Sequence, residues 1–452
     1  MSAPLWRAGS PRSLAFGSQP RTLLVLYQHT APGPMRAALR QKLHALDASA
    51  AGHQVVYWNA GYPVPRPIRD LRVDAIVLDN TLLVARWAPG FEARRASFEW
   101  VAESPALRIA FPQDEYNHAH VLDDWLADLG IDVVFSIYGP EYRELLYPRL
   151  AGKVRFERAL TGYIDETAAS RQAGVVLPHA RRPLDLAYRA EALSPRFGRL
   201  GQAKVQVAEE LGPRARAAGL RVDVSVDRRD AILGERWFAF IASARAVLGS
   251  ESGASAIDRR GELVAREREL LAERPGLTFE EFDAAMPPGW DGTPLGAIGP
   301  RHLEAAVAKT AQVLVAGDYD GMLEPDVHYL AVRPDFADAD EVVERLGDRA
   351  LLERLAERTY RDIVLSGRYG YAALAARIET VLDEERPHTA TEARGAAIRR
   401  AQVAAKAYSA LVVRPPRWAW SAVDRVAPGV AERILDARMA RLSRSAGRGR
   451  AT

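Results

Sequence analysis

The chain contains no cysteine. That absence excludes disulfides, thiolate nucleophiles, cysteine-ligated zinc and iron–sulfur clusters. Long hydrophobic runs are absent as well, because no stretch approaches the roughly eighteen apolar residues of a membrane span. The first residues, Met1 to Arg21, lack the apolar core of a signal peptide, and we interpret them as a disordered leader. These absences together predict a soluble, cytoplasmic protein.

A strong excess of charge of one sign is also absent. The 61 lysines and arginines against 58 aspartates and glutamates leave a formal net charge of +3. Proteins that bind nucleic acid usually concentrate positive charge on one face or element, and only the C-terminal segment does so here. We therefore expect no nucleic-acid partner.

Short, mostly apolar runs alternate with helical or turn segments in the first third of the chain. Such runs are typical of parallel strands that are buried on both faces. Five of them predict a doubly wound domain over residues 22–165, with strands at Thr22–Tyr27, Gln54–Asn59, Asp74–Asp79, Leu107–Pro112 and Ile131–Ile137. A helix is predicted at Met35–Leu46.

A second alternating series follows a poorly patterned stretch, Asp165–Arg182, which we interpret as an interdomain hinge. The second domain is predicted over residues 182–385, with a cleft between the two. Its strands are predicted at Leu184–Tyr188, Leu220–Val226, Ala246–Leu248, Gln312–Ala316 and His328–Val332. Its helices are predicted at Leu200–Ala218, Trp237–Ala244 and Arg301–Ala308, with three more between Ala339 and Glu385.

The last segment, residues 386–452, is rich in arginine and carries an apolar stripe at helical spacing. The stripe comprises Val430, Ile434, Leu435, Met439 and Leu442. One interpretation is an amphipathic helix lying on an anionic membrane surface, which would place the protein at the inner face of the membrane. The other is a basic helical tail that packs back on the first domain.

The segment Pro300–Val332 carries two short motifs. The first opens a predicted helix, and the second precedes a predicted strand; their positions are Arg301, Leu303, Glu304, Ala305, Leu323, Glu324, Pro325, His328 and Tyr329. This pattern resembles the nucleotide-sugar half of glycosyltransferases with the GT-B fold, specifically the group-1, CgeB-like set. The resemblance extends over about residues 182–382 and, more weakly, to Gln113–Tyr116.

The resemblance implies a GT-B-like α/β fold with two Rossmann-type doubly wound domains. It implies transfer of a sugar from a nucleoside diphosphate sugar, held by the second domain, to a hydroxyl acceptor held by the first. The acceptor could be a glycan, a protein or a lipid. The resemblance further implies metal-independent catalysis with retention of configuration, and no cofactor.

The resemblance assigns the donor ribose to Glu324. It assigns to Glu304 both contact with the sugar or nucleotide and a catalytic role. Arg301, in the first turn of its predicted helix, is expected where a phosphate would bind. The alternative for Arg301 and Glu304 is a surface ion pair between positions i and i+3.

Two further features flank strands of the second domain. Arg189 and Lys204 are candidate cations for the diphosphate, with solvated helix residues as the alternative. The small-residue stretch after the strand at Ala246–Leu248 contains Gly249, Ser252 and Gly253. It fits a backbone cradle for a phosphate or sugar, and it fits equally a turn whose glycines supply positive φ angles.

Asp114 and Glu115 follow the fourth strand of the first domain and are expected to face the cleft. There, one of them could deprotonate or orient an acceptor hydroxyl. Their alternative roles are a helix N-cap and a first-turn acid. Asp318-Tyr319-Asp320 has the spacing of a two-carboxylate metal site, but metal-independent binding is what the resemblance implies, so we predict no metal.

Two other functions are compatible with the same sequence. One is a GT-B-fold epimerase of sugar nucleotides, which uses the same cleft without an acceptor. The other is a non-catalytic binding or assembly protein that keeps the fold. Product analysis separates the first from a transferase, and failure to bind any nucleotide would favour the second.

Overall fold

The computed structural model describes residues 20–29, 35, 37–48, 52–88, 90–174, 176–232, 234–385, 398, 401 and 402. They form two α/β domains, each built on a parallel sheet, which face each other across a cleft. The predicted arrangement of two doubly wound domains with a cleft between them is confirmed. The predicted leader and Arg-rich tail lie outside the described residues, except for a few positions. One of these, Arg21, is buried against the first domain.

The two sheets contain eleven strands, and a short hairpin adds two more. The first sheet has the order β2-β1-β3-β4-β5-β6, and the second has the order β13-β12-β9-β7-β8; β10 and β11 form the antiparallel hairpin. The strands β1 to β13 are Thr22–Tyr27, Gln54–Asn59, Ala75–Leu78, Leu107–Ala110, Val133–Ser136, Arg155–Arg158, Leu184–Arg189, Val222–Ser225, Ala244–Gly249, Ser252–Ala254, Leu295–Ala297, Ala311–Val315 and Leu330–Val332.

Helices cover both faces of each sheet. Helices α1 to α7 are Ala37–Leu43, Arg66–Arg69, Asn80–Leu83, Phe91–Ala96, Ala119–Asp128, Arg143–Leu146 and Glu166–Ala173; the first six belong to the first domain, and α7 packs against α12. Helices α8 to α15 are Gly198–Ala217, Glu235–Ala242, Glu262–Glu273, Phe279–Ala284, Pro300–Val307, Ala339–Leu346, Arg349–Thr359 and Tyr371–Glu385. None of the helices in the described ranges combines the length and the hydrophobicity that a membrane crossing requires.

Burial on both faces explains why the strands are so apolar. In β1, Leu23 and Val25 pack into one hydrophobic cluster, while Leu24 and Leu26 pack into another on the opposite face. Successive side chains of a strand point to opposite faces, so each position of β1 meets a helix layer. An apolar run without alternation is therefore the expected sequence pattern.

The last helix of the second predicted domain belongs to the first domain in space. In α15, Leu374, Ile378 and Leu382 pack on the outer layer of the first sheet. Ion pairs of Arg155 with Glu384 and of Arg377 with Glu157 add polar contacts. This corrects the predicted domain boundary at residue 385: the chain returns to the first sheet after Tyr369.

Two elements escaped the sequence pattern. The predicted hinge at residues 165–182 contains α7, which begins where the Asp165 carboxylate accepts a hydrogen bond from the Ala168 N–H at 2.8 Å. The edge strand β6 consists of half-buried Arg-Phe-Glu-Arg. An edge strand has a neighbour on one side only, and the side chains of β6 remain half-buried, so polar residues are tolerated there.

An insertion between β10 and β11 joins the two domains. The backbone N–H of Asp258 donates to the Tyr116 carbonyl at 2.9 Å, and the Asp258 carbonyl accepts from the Ala119 N–H at 2.9 Å. In addition, the His120 N–H donates to the Arg259 carbonyl at 3.0 Å. Ala254, Leu295 and Ala297 of the hairpin also enter the hydrophobic core of the first domain. The two domains are thus joined by main-chain hydrogen bonds and by packing.

A buried arginine anchors the connection into the second sheet. Arg182 is only 1% exposed. Its guanidinium donates to the carbonyls of Leu177, Ala244 and Ala308 at 2.7–2.9 Å, and to the Thr310 hydroxyl at 2.7 Å. Removing it would leave several buried oxygens without a donor.

We expect Arg182→Leu to lower the free energy of unfolding by about 3 kcal/mol or more, because buried acceptors lose their hydrogen bonds. The matched control is Arg181→Leu, since Arg181 is exposed; its expected cost is within about 0.5 kcal/mol. Urea denaturation followed by circular dichroism measures both variants. Equal denaturation midpoints for the two variants would contradict the anchoring role.

Candidate functional site

Two adjoining cavities lie where the carboxyl ends of the two sheets meet, the edge at which ligands bind in open α/β folds. The first, which we call the aromatic cavity, has a volume of about 190 Å3 and lies within the second domain. The second, the interdomain cavity, has a volume of about 340 Å3 and lies between the domains. Leu193, Lys204, Ser252 and Pro300 line both cavities, which therefore form one continuous site.

The aromatic cavity offers flat apolar surfaces beside a helix N-terminus. Tyr188, Trp237 and Phe240 line one side, and the start of α12 lines the other. His302 of α12 accepts a hydrogen bond from the Gly299 N–H at 3.0 Å through Nδ1. Burial lowers the pKa of His302 to about 4, so this imidazole is neutral at physiological pH. Any positive charge in the cavity must come from other residues.

Lys204 and Arg301 supply that charge. Within the described residues, no carboxylate lies within 4.0 Å of either side chain. Burial, together with the neighbouring positive charge of Arg301, lowers the pKa of Lys204 to about 8. The Arg301 guanidinium donates to the Arg189 carbonyl and lies over the Trp237 ring at 5.4 Å from its centroid. Two cations without acidic partners beside a helix N-terminus suit an anionic ligand.

Glu304 does not pair with Arg301, which removes the ion-pair alternative of the sequence analysis. Its carboxylate instead accepts the Trp237 indole N–H at 2.7 Å. Burial raises the pKa of Glu304. The residue lies behind Trp237 and lines neither cavity, so the structure gives it a position from which it orients the indole.

The small-residue stretch lines both cavities and contains a glycine with a positive φ. Gly249 and Ser252 line the aromatic cavity, and Ser252 and Gly253 line the interdomain cavity. Gly253 has a φ of +128°, and a Cβ there would meet the Leu295 carbonyl oxygen at 1.9 Å. At Gly249 a Cβ would approach Leu314 to 2.7 Å. The backbone conformation and packing therefore require glycine at position 253, packing disfavours a larger residue at position 249, and both glycines line a cavity.

Asp114 lies across the interdomain cavity from Lys204. Its carboxylate accepts the Tyr116 hydroxyl at 3.0 Å, and its φ of +50° is unusual for a residue with a side chain. Buried Arg86 supports this conformation by donating to the carbonyls of Leu83, Gln113, Asp114 and Asn117. The carboxylate is thus held at the surface of the cavity, as the sequence predicted.

The prediction that Glu115 also faces the cleft is wrong. Glu115 is 0% exposed. Its carboxylate accepts from the Ser136 hydroxyl at 2.6 Å, the Ile137 N–H at 2.7 Å and the Tyr147 hydroxyl at 2.5 Å. Burial raises its pKa. Through these hydrogen bonds, the buried carboxylate links the segment after β4 to the segments that contain Ile137 and Tyr147. It cannot reach a ligand in the cleft.

Two predicted donor-binding residues also lie outside both cavity linings. The Arg189 guanidinium pairs with Asp223 at 2.7 Å and donates to backbone carbonyls, so its charge is compensated. Glu324 is exposed in the loop after β12. In that loop, the Glu324 N–H donates to His328 Nδ1 at 3.0 Å. The structure therefore brings neither side chain to the place predicted for the diphosphate or the ribose.

The two carboxylates of Asp318-Tyr319-Asp320 do not act together. Asp318 is exposed, whereas Asp320 is buried, pairs with Arg158 and accepts the Ile298 N–H at 2.8 Å. In the described part of the chain, no group of three or more His, Asp or Glu side chains is placed to hold a metal ion.

Sequence reasoning missed the aromatic residues of the site. Trp237 and Phe240 occupy a predicted helix, and Trp87 and Tyr138 follow strands of the first domain. For Trp87 and Tyr138, position in the sequence was the one indication of a role in the site. They come shortly after β3 and β5, at the edge of the sheet where ligands bind. Trp237 carried no such signal, since a tryptophan within an apolar helix usually packs in a core.

Comparisons with known proteins yield matches among solved structures alone. No protein-family model matches the chain, and no curated protein matches its sequence. Among solved structures, an α-glucosyltransferase in complex with UDP-glucose and DNA containing an abasic site is similar at 8% identity, with a TM-score of 0.47. That match covers 80% of this chain and 99% of the other.

Two further structures cover similar shares. HepE of Anabaena, in complex with UDP and glucose, has 11% identity and a TM-score of 0.42, over 80% of this chain and 100% of its own. Sucrose-phosphate synthase from Thermosynechococcus elongatus has 12% identity and a TM-score of 0.44, over 81% and 99%. At such low sequence identity, the ligands bound in those structures say nothing about the ligands of this chain.

Binding of an anion at Lys204 is expected to weaken as the pH rises from 7 to 9, because a lysine with a pKa of about 8 loses its proton in that range. Isothermal titration with inorganic pyrophosphate measures the effect. Lys204→Arg should bind at pH 9 as it does at pH 7, and Lys204→Met should bind weakly at both. The same pH dependence in wild type and Lys204→Met would exclude Lys204 as its source.

Proposed function

We propose that this protein is a glycosyltransferase that moves a sugar from a nucleoside diphosphate sugar to a hydroxyl group. One observation carries the proposal: Lys204 and Arg301, cations without an acidic partner among the described residues, line an aromatic cavity, and Lys204 also lines the interdomain cavity that contains the Asp114 carboxylate. The sequence resemblance to CgeB-like glycosyltransferases, which includes Arg301, supports the same assignment. Membership of that particular family is part of this proposal.

The aromatic cavity suits the nucleoside part of such a donor. Tyr188, Trp237 and Phe240 offer faces on which a nucleobase can stack. The diphosphate would then extend toward Lys204, Arg301 and the N-terminus of α12, where backbone N–H groups and cations meet. This direction leads the attached sugar into the interdomain cavity, because Lys204 lines both spaces.

Transfer requires one bond to break and one to form. The bond between the anomeric carbon of the sugar and the diphosphate oxygen breaks, and the diphosphate leaves with the electron pair. Lys204 and Arg301 stabilise the negative charge that develops there, without a metal in this proposal. The acceptor oxygen bonds to the anomeric carbon and gives its proton to Asp114. A single displacement with Asp114 as base, on the side opposite the leaving diphosphate, inverts the anomeric configuration. The retention that the resemblance implies would instead require attack on the same face, with a diphosphate oxygen taking the acceptor proton. The anomeric signal of the product distinguishes the two.

A thermal-shift screen tests the donor site. The ligands are UDP, GDP, ADP, CDP, dTDP and their sugars, each with EDTA and with magnesium. A ligand at one hundred times its dissociation constant stabilises the protein by about 2.7 kcal/mol, which raises the melting temperature by a few degrees. A shift with one nucleotide in EDTA supports the proposal; no shift with any nucleotide contradicts it and favours a non-catalytic protein. An epimerised donor without transfer would indicate the epimerase.

Asp114→Asn should lower kcat for transfer by about 10²- to 10⁴-fold, because the amide cannot accept the acceptor proton. Binding of the donor nucleotide should change little, since Asp114 lies on the opposite side of the cleft. The matched control is Glu115→Gln, a neighbouring change at a core carboxylate, which should reduce stability and leave kcat within a few-fold. Kinetics at saturating donor measure both variants. If Glu115→Gln lost kcat and Asp114→Asn did not, the assignment of the base would be wrong.

A further inference from the structure

We infer that the acceptor is an uncharged sugar ring that stacks on Trp87. This inference rests on the proposed function and specifies its second substrate. It concerns the half of the interdomain cavity contributed by the first domain, which is lined by Trp87, Gln113, Asp114, Asn117 and Tyr138. The side chains there combine a fixed aromatic face, amide donors and one carboxylate.

Trp87 is one of four large apolar side chains that are exposed in the described part of the chain, at 37%. Its indole N–H donates to the Asn117 carbonyl at 3.3 Å, which fixes the ring. The guanidinium of buried Arg86 covers one face at 4.9 Å from the ring centroid. A rigid indole supported on one face offers its remaining surface at little entropic cost, and the C–H face of a pyranose is the complementary shape.

Two amide groups beside Trp87 are available as donors. The Gln113 side-chain oxygen accepts from Asn80 at 2.9 Å, and the Asn117 side-chain oxygen contacts His118 Nδ1 at 2.9 Å. These contacts leave the NH2 groups of Gln113 and Asn117 without a partner among the described residues. Two N–H donors and the Asp114 carboxylate suit the hydroxyls of a sugar, which both accept and donate hydrogen bonds.

The charge on this side of the cavity argues against an anionic acceptor. Arg196 lines the cavity, but it pairs with Glu267 at 3.2 Å and lies over Phe197. Lys204 is assigned to the diphosphate of the donor. The charge left for the acceptor is that of Asp114, which is negative. A lipid phosphate or a nucleic-acid backbone would need unpaired cations here, so a neutral polyhydroxylated ring fits better.

Saturation-transfer NMR tests the inference directly, without transfer activity as the readout. The probes are methyl α-glucopyranoside, methyl β-galactopyranoside and methyl α-mannopyranoside, each added with the nucleotide identified in the screen. Ring protons of at least one pyranoside should receive saturation from the wild type. Trp87→Ala should lose this transfer, and Trp87→Phe should keep part of it. The matched control is Leu365→Ala, because Leu365 is 65% exposed and lines neither cavity.

Kinetics supply the second readout. Trp87→Ala should raise KM for the pyranoside acceptor by about two- to tenfold, the range expected for loss of one aromatic contact. Its nucleotide-dependent thermal shift should match that of the wild type, which shows that the variant is folded and that the donor site is intact.

The outcomes separate this inference from the proposed function. If a nucleotide binds but no pyranoside does, or if Trp87→Ala binds pyranosides like the wild type, the inference is overturned and the proposed function stands. Transfer to a phospholipid, a peptide or DNA without transfer to any pyranoside has the same meaning. If no nucleotide binds, the proposed function fails, and the inference fails with it.

Discussion

The candidate site depends on one buried guanidinium. Arg86 is 3% exposed and donates to four backbone carbonyls. Three of those carbonyls belong to Gln113, Asp114 and Asn117, which lie on the loop after β4. A charged donor satisfies buried carbonyls more strongly than a neutral one, so the loop keeps the positive φ at Asp114 and presents its carboxylate to the cleft. The same guanidinium supports the ring of Trp87, and one residue therefore positions both the Asp114 carboxylate and the aromatic face.

The same loop also joins the domains. Tyr116 follows Asp114 closely, and its carbonyl accepts from Asp258 of the insertion between β10 and β11. The hydrogen bonds of Ala119 and His120 with that insertion extend the connection. As a result, the distance across the cleft is set by main-chain hydrogen bonds next to the site. Displacing the insertion would disturb the loop that Arg86 holds, so the geometry of the cleft and the position of Asp114 are coupled.

The sequence predicted most strands and the two-domain arrangement, but it predicted the candidate site only in part. Strands buried on both faces must be apolar, so β1, β2 and β9 could be recognised without the structure, whereas the polar edge strand β6 could not. Of the residues singled out from the sequence, Asp114, Lys204 and Arg301 line the cavities at the carboxyl edge. The prediction failed for Glu115, Arg189 and Glu324, because periodicity does not report what a side chain binds. Glu115 accepts hydrogen bonds from three buried donors, and Arg189 forms an ion pair with Asp223.

Ion pairing explains how a chain with a net charge of only +3 builds a local anion site. Near the cleft, Arg158 pairs with Asp320, Arg196 with Glu267, and Arg199 with Asp283 and Asp291. Each of these arginines holds a loop in place, and its charge is largely cancelled at short range. Lys204 and Arg301 are left with no acidic partner in the described part of the chain, and burial makes the charge of Lys204 costly until an anion arrives. The positive charge is thus concentrated at the aromatic cavity and at its boundary with the interdomain cavity, where it would stabilise the leaving diphosphate of the proposed reaction, while Asp114 places a carboxylate on the other side. The separation of charge across a few side chains, rather than the total charge, determines what each half of the cleft can bind.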